Sequence, residues 1–161
     1  MPAYQVLAIN EQITNHVRST LTDPIYGHPV QVSVAGSGDY GPCRSCLHTF
    51  EVGERRILFL YNPYSVGQQT SDFAGPVFIH DQPCERHSTS EVFPEDIRHL
   101  PIVCKGYDAH HNFVADEFPS GTDVETAIAQ LLRRPETAFI LVRNIEAKCF
   151  ILRIERAEVV G

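Results

Sequence analysis

The sequence predicts an α+β fold, an antiparallel or mixed sheet with two or three helices packed against it. Three observations predict it. Short runs rich in β-branched and aromatic residues recur along the chain, helical patterns are few, and the last two apolar runs are joined by a connection that suits an antiparallel hairpin. With 161 residues, 43% hydrophobic and 20% charged, the chain reads as a single domain over 1–161 that can bury a core without obligatory metals or disulfides.

Residues 4 to 9 read as a short strand. Glu11 to Leu21 follows as a helix capped by Asn10, with Ile13, Val17 and Leu21 on its apolar stripe. Residues 35 to 43, rich in Gly and closing on Gly-Pro-Cys, read as a loop. Strands are expected over Val30 to Ala35, Arg56 to Tyr61, Pro76 to His80 and Ile102 to Tyr107. A two-residue turn at His110-His111 or His111-Asn112, lacking the usual glycine, returns the chain into Asn112 to Phe118. The clearest helix runs from Asp123 to Arg133, with Thr122 as cap, Glu125 completing a capping box and Pro135 as the stop. Ala138 to Arg143 and Lys148 to Glu155 close the chain as two strands near the sheet centre, and no internal repeat is visible.

The formal net charge is -7, and no Lys/Arg run exceeds a pair. Such a field repels phosphate backbones and anionic membranes, which disfavours nucleic-acid and membrane-surface roles. The N-terminus has no basic leader, and no apolar stretch reaches the length of a membrane span, so a cytoplasmic protein is expected. Five cysteines in a reducing compartment leave three readings: buried apolar thiols, a metal site, or one reactive thiol.

Cys43-Arg44-Ser45-Cys46 is the sharpest local feature, because two thiolates three positions apart in a turn can grip one Zn²⁺. The shell then needs two more ligands. His80, Cys84 and His87, just past a strand, are the candidates, giving Cys43, Cys46, Cys84 and either His80 or His87. The interval between the pairs is long, and no glycine follows Cys46 where a metal knuckle favours one. A thioredoxin-type use of the same thiols finds a cation in Arg44 but no helix after Cys46 to supply a dipole. Cys104 and Cys149 sit within strand patterns and read as small apolar fillers.

A second group, Arg44, Tyr107, Asp108, Arg143, Asn144 and Arg153, lies near expected strand ends and could bind an anionic small-molecule substrate. The plainer alternative is surface ion pairing, with Asn144 a turn residue. Nucleotide-binding glycine loops, the serine-hydrolase elbow and the helical zinc-protease motif do not occur.

Several stretches in order resemble the bacterial family called domain of unknown function 1203. They are Gly-Pro-Cys-Arg-Ser-Cys-Leu (41–47), Gly53-Glu54, Gly-Pro-Val-Phe-Ile-His-Asp-Gln-Pro-Cys (75–84), Gly-Tyr-Asp-Ala (106–109), Val-Arg-Asn (142–144) and Lys-Cys-Phe-Ile-Leu-Arg-Ile-Glu-Arg-Ala (148–157). The resemblance carries no activity or cofactor with it, but it singles out Cys43, Arg44, Asn144 and Cys149. Where its pattern has glycine before the last cysteine, this chain has Lys148. Three functions therefore stand side by side: a zinc-binding module, an enzyme with Cys43 as nucleophile and arginines holding an anion, and a metal-free interaction domain, with a homodimer through an exposed sheet edge as one form of it.

Overall fold

Apolar residues on both faces of a strand require cover on both sides, and the run Phe139 to Val142 meets that demand at the middle of a sheet. In the computed structural model, which describes residues 3–39, 41–63 and 75–157, the chain forms two compact units. One comprises residues 1–8 and 88–161, the other residues 9–87. Met1, Pro2 and Tyr40, the last within the loop expected over 35–43, lie outside the described residues.

The first unit is built on five strands, β1 (Tyr4–Leu7), β5 (Ile102–Tyr107), β6 (Phe113–Glu117), β7 (Phe139–Asn144) and β8 (Phe150–Arg156). The second carries β2 (Gln31–Val34), β3 (Arg55–Tyr61) and β4 (Gly75–His80), so that numbering follows the chain. The five-stranded order is β1-β8-β7-β5-β6, antiparallel throughout. Helix α3 (Val124–Leu132) lays Val124, Ile128, Leu131 and Leu132 against it, all buried. Gly106 of β5 lets the helix come close: a Cβ there would stand 3.3 Å from Thr137 and 3.6 Å from Leu131. The expected α+β fold with antiparallel sheet and packed helices is what forms, its strands divided between two sheets of five and three.

Three local readings need correction. Thr122 does not cap α3: Asp123 holds the cap position and makes no capping bond with its side chain, which instead accepts from Ser120 N–H at 2.6 Å. Glu125 turns away from the helix end to pair with Arg98 of the short helix α2 (Glu95–Arg98), because a guanidinium offers its carboxylate more charge-assisted bonds than one cap N–H can. The β5–β6 connection spans residues 108–112 instead of two; Asp108 Oδ1 accepts from the N–H of His110 and Asn112, and His111 takes φ 68° in place of glycine.

In the second unit, α1 (Glu11–Thr20) is capped by Asn10, whose side chain accepts from Gln12 N–H at 2.7 Å. Leu21 ends it in the left-handed conformation and is exposed, and Thr14 joins Val17 on the buried side. The three-stranded sheet runs β2-β3-β4, antiparallel, with Ile57, Phe59, Val77 and Ile79 on its buried face. No helix among the described residues is long and apolar enough to cross a membrane.

Candidate metal centre

The site begins with a turn that the second unit makes twice. In the loop at 42–49, Cys43 N–H donates to His48 O at 2.9 Å, Leu47 N–H donates to Cys43 O at 2.8 Å, and Pro42 bridges Thr49. In the loop at 22–29, Asp23 N–H donates to His28 O at 2.9 Å, Gly27 N–H donates to Asp23 O at 3.2 Å, and Thr22 bridges Pro29. The fifth position is left-handed in both, Gly27 at φ 72° and Leu47 at φ 61°. A short repeat therefore exists where the sequence shows none, and the missing knuckle glycine is no obstacle, because Leu47 adopts the conformation itself. In the first copy Asp23 fills the interior: its carboxylate accepts from the N–H of Ile25, Tyr26 and His28. In the second copy the corresponding residue is Cys43 and the turn opens towards β4.

β4 ends at His80, and the chain then carries Cys84 back past the second copy. Arg44 N–H donates to Phe78 O at 3.0 Å and His87 N–H donates to Ser45 O at 2.8 Å, which pins the loop between the strand end and the segment after it. The result is that Cys43 Sγ, Cys46 Sγ, His80 Nδ1 and Cys84 Sγ all lie within 4.8 Å of one another. Cys43 Sγ stands 3.7 Å from Cys84 Sγ, and Cys46 Sγ 3.6 Å from His80 Nδ1. Of the two histidines considered, His80 is in this group and His87 is outside it.

These separations fit a particular ion geometry. A tetrahedral Zn²⁺, with Zn–S of about 2.3 Å and Zn–N of about 2.0–2.1 Å, places two sulfurs about 3.8 Å apart and a sulfur about 3.6 Å from a nitrogen. Hard cations such as Mg²⁺ and Ca²⁺ would want oxygen ligands instead.

A second layer of groups holds the first. Glu54 Oε2 stands 3.0 Å from His80 Nε2, an ion-pair contact on the side of the imidazole away from the sulfurs, while Nδ1 faces Cys46. Glu54 is held in turn by Glu51 N–H at 2.7 Å. Arg18 of α1 donates from Nη2 to Cys84 Sγ at 3.4 Å and from Nε to His80 O at 3.1 Å. The backbone N–H of His80 donates to Cys43 Sγ at 3.4 Å. Three thiolates around one divalent ion would carry one net negative charge, which the Arg18 guanidinium would offset.

Among themselves the same groups divide protons unevenly. Hydrogen bonds with Cys43 and Cys46 hold Cys84 well below the usual thiol range, and hydrogen bonds to Cys43 and Cys84, with burial, push Cys46 well above it. Bonding to Cys43 and Cys84 raises His80 to about 10. Metal binding has to displace these protons.

The family model described as Protein of unknown function (DUF1203) matches residues 41–156. The chain belongs to that family. No curated protein and no solved structure matches it. The DUF1203 match takes in all four clustered residues and Glu54, and leaves out α1 and Arg18.

The other candidate residues of this DUF1203 chain are placed differently. Arg44 is buried in the second unit, its Nη1 donating to Pro42 O at 2.7 Å. Tyr107, Asp108, Arg143, Asn144 and Arg153 belong to the first unit. There burial raises Tyr107, with the Arg143 guanidinium acting against it, and Arg143 also donates to Lys148 O. Asn144 Oδ1 accepts from Glu146 and Ala147 N–H, a turn-forming role matching that of Asp108. Arg153 pairs with Glu155 at 2.7 Å and lies over the Phe139 ring. Cys104 is buried, its thiol pushed up to about 12 by burial, and Cys149 donates weakly to Ala147 O. Sequence reasoning missed Arg18 and the role of Glu54, although Gly53-Glu54 is among the stretches that carry the family resemblance.

Proposed function

We propose that the chain is a zinc-binding module in which Cys43, Cys46, His80 and Cys84 hold one Zn²⁺ in a closed tetrahedral site. The observation that carries the reading is the convergence of three sulfurs and one imidazole nitrogen within 4.8 Å, with the Cys43–Cys84 and Cys46–His80 edges at the lengths such an ion sets. Four protein ligands leave no position for water or substrate, which makes the role structural: the ion ties the 42–49 loop to the end of β4. Free cysteines throughout suit a reducing compartment such as the cytoplasm. The alternative of Cys43 as nucleophile finds less support, since Cys43 is 0% exposed and Arg44 is committed to its own loop. Elemental analysis of untagged protein tests the proposal. About one zinc per chain is expected, falling below about a tenth in Cys43→Ser and Cys46→Ser; parent protein at that low level rejects it.

A homodimer has a separate observation in its favour. Among the described residues β2 is an edge strand with no charge of its own, and its Val32 and Val34 are 41% and 56% exposed. Such an edge is a template for strand addition. Val32-Ser33-Val34 reads alike in both directions, so two copies pairing antiparallel about Ser33 set valine opposite valine. Light scattering should give twice the chain mass for the parent and the chain mass for Val32→Lys; a monomeric parent removes this reading.

A further inference from the structure

The three thiols of the cluster differ in reach. Cys43 is 0% and Cys46 7% exposed, whereas Cys84 is half-buried and open to small solutes. Cys84 also accepts from a guanidinium, Arg18 Nη2 at 3.4 Å, which sets a positive charge beside the place where hydroxide leaves a peroxide attacked by this sulfur. Cys43 Sγ stands 3.7 Å away, so forming a bond of about 2.05 Å requires the two sulfurs to close by under about 2 Å. Cys46 instead faces His80 Nδ1 at 3.6 Å.

We propose that Cys84 is a peroxide-reactive modification site whose oxidation expels the zinc, an inference that rests on the zinc reading above. The Cys84 thiolate attacks one oxygen of the peroxide. The O–O bond breaks, hydroxide leaves and takes a proton to become water, and Cys84 becomes a sulfenic acid, oxidised by two electrons. Cys43 then attacks the Cys84 sulfur; the S–O bond breaks, the second hydroxide leaves and is protonated, and a Cys43–Cys84 disulfide remains. In sum, two thiolates, one hydrogen peroxide and two protons give one disulfide and two waters. Zinc keeps only Cys46 and His80 and departs to solvent. A thiol reductant with fresh zinc reverses the sequence.

The test uses untagged, full-length protein whose zinc content is measured first. Hydrogen peroxide is added with a zinc-sensitive dye, and non-reduced peptides are mapped by mass spectrometry. Zinc should appear in step with a Cys43–Cys84 disulfide, two thiols vanishing per zinc, and dithiothreitol with zinc should restore the starting state. Arg18→Met, loaded with zinc to the parent's measured content before peroxide is added, should release it at least about threefold more slowly. A doubly substituted Cys104→Ser, Cys149→Ser chain should respond like the parent. Zinc that stays bound, a disulfide joining Cys43 to Cys46, or an Arg18→Met rate equal to the parent's overturns the inference and leaves the zinc reading standing. A chain without zinc before peroxide is added sinks both.

Discussion

Glu54 shows how one side chain acts through another. Its carboxylate stands 3.0 Å from Nε2, on the side of the His80 ring away from the cluster, where it favours the orientation that presents Nδ1 to the sulfurs. Replacing an outer partner of this kind usually weakens metal binding about 10–100-fold, so Glu54→Gln should do so in a chelator competition; an unchanged affinity would mean that the imidazole is held by packing alone. Asp23, at the matching place in the other copy of the turn, gives a pH prediction. Burial opposes its ionisation, but the N–H groups of Tyr26, Ile25, His28 and Gly27 outweigh it and hold the carboxyl below its ordinary value of 3.8. A carboxylate with a lowered folded value contributes its full stability above that ordinary value and loses it as pH falls through the folded one. Asp23→Asn should therefore cost about 1–3 kcal/mol at pH 7, a gap that closes under strong acid; a constant gap across pH would assign the loss to shape and not to charge. The four clustered residues were legible in the sequence because paired thiols and a nearby histidine are rare and chemically distinctive. Arg18 was not, since it sits 66 positions from Cys84 on a helix where arginine is ordinary.

At the scale of elements, strands were legible because a strand's pattern is local. β5 appears with the bounds its β-branched run implies, and β7 and β8 shift by one or two residues. The duplicated turn was hidden because it is a main-chain shape shared by Asp23-Pro-Ile-Tyr-Gly-His and Cys43-Arg-Ser-Cys-Leu-His, sequences whose side chains have little in common. The capping box at Glu125 failed for the opposite reason: the local motif was present, and a distant arginine outbid it. The β7–β8 turn carries a testable strain. Lys148 is exposed and sits at φ 59°, a conformation that costs a non-glycine residue about 1 kcal/mol and that glycine adopts freely. Lys148→Gly should raise stability by about 0.5 kcal/mol after the entropy of the unfolded glycine is subtracted, seen as a small rise in Tm. A fall in Tm would show that the lysine side chain contributes more than its backbone costs.

For the whole molecule, the account makes one unit depend on metal and the other not. The first unit has a continuous core under α3, while in the second the loop carrying Cys43 and Cys46 is fastened through the cluster. Removing zinc with a strong chelator under reductant should raise amide exchange at 42–49 and at the end of β4, leaving β5, β7 and β8 protected. Uniform loss across both units would contradict that division. The most direct test is to count the ligands. X-ray absorption on zinc-loaded protein should show three sulfurs at about 2.3 Å and one nitrogen at about 2.0–2.1 Å. A shell made mainly of oxygen or nitrogen, or one with fewer than three sulfurs, would contradict the assignment of Cys43, Cys46, His80 and Cys84 as the metal's four ligands.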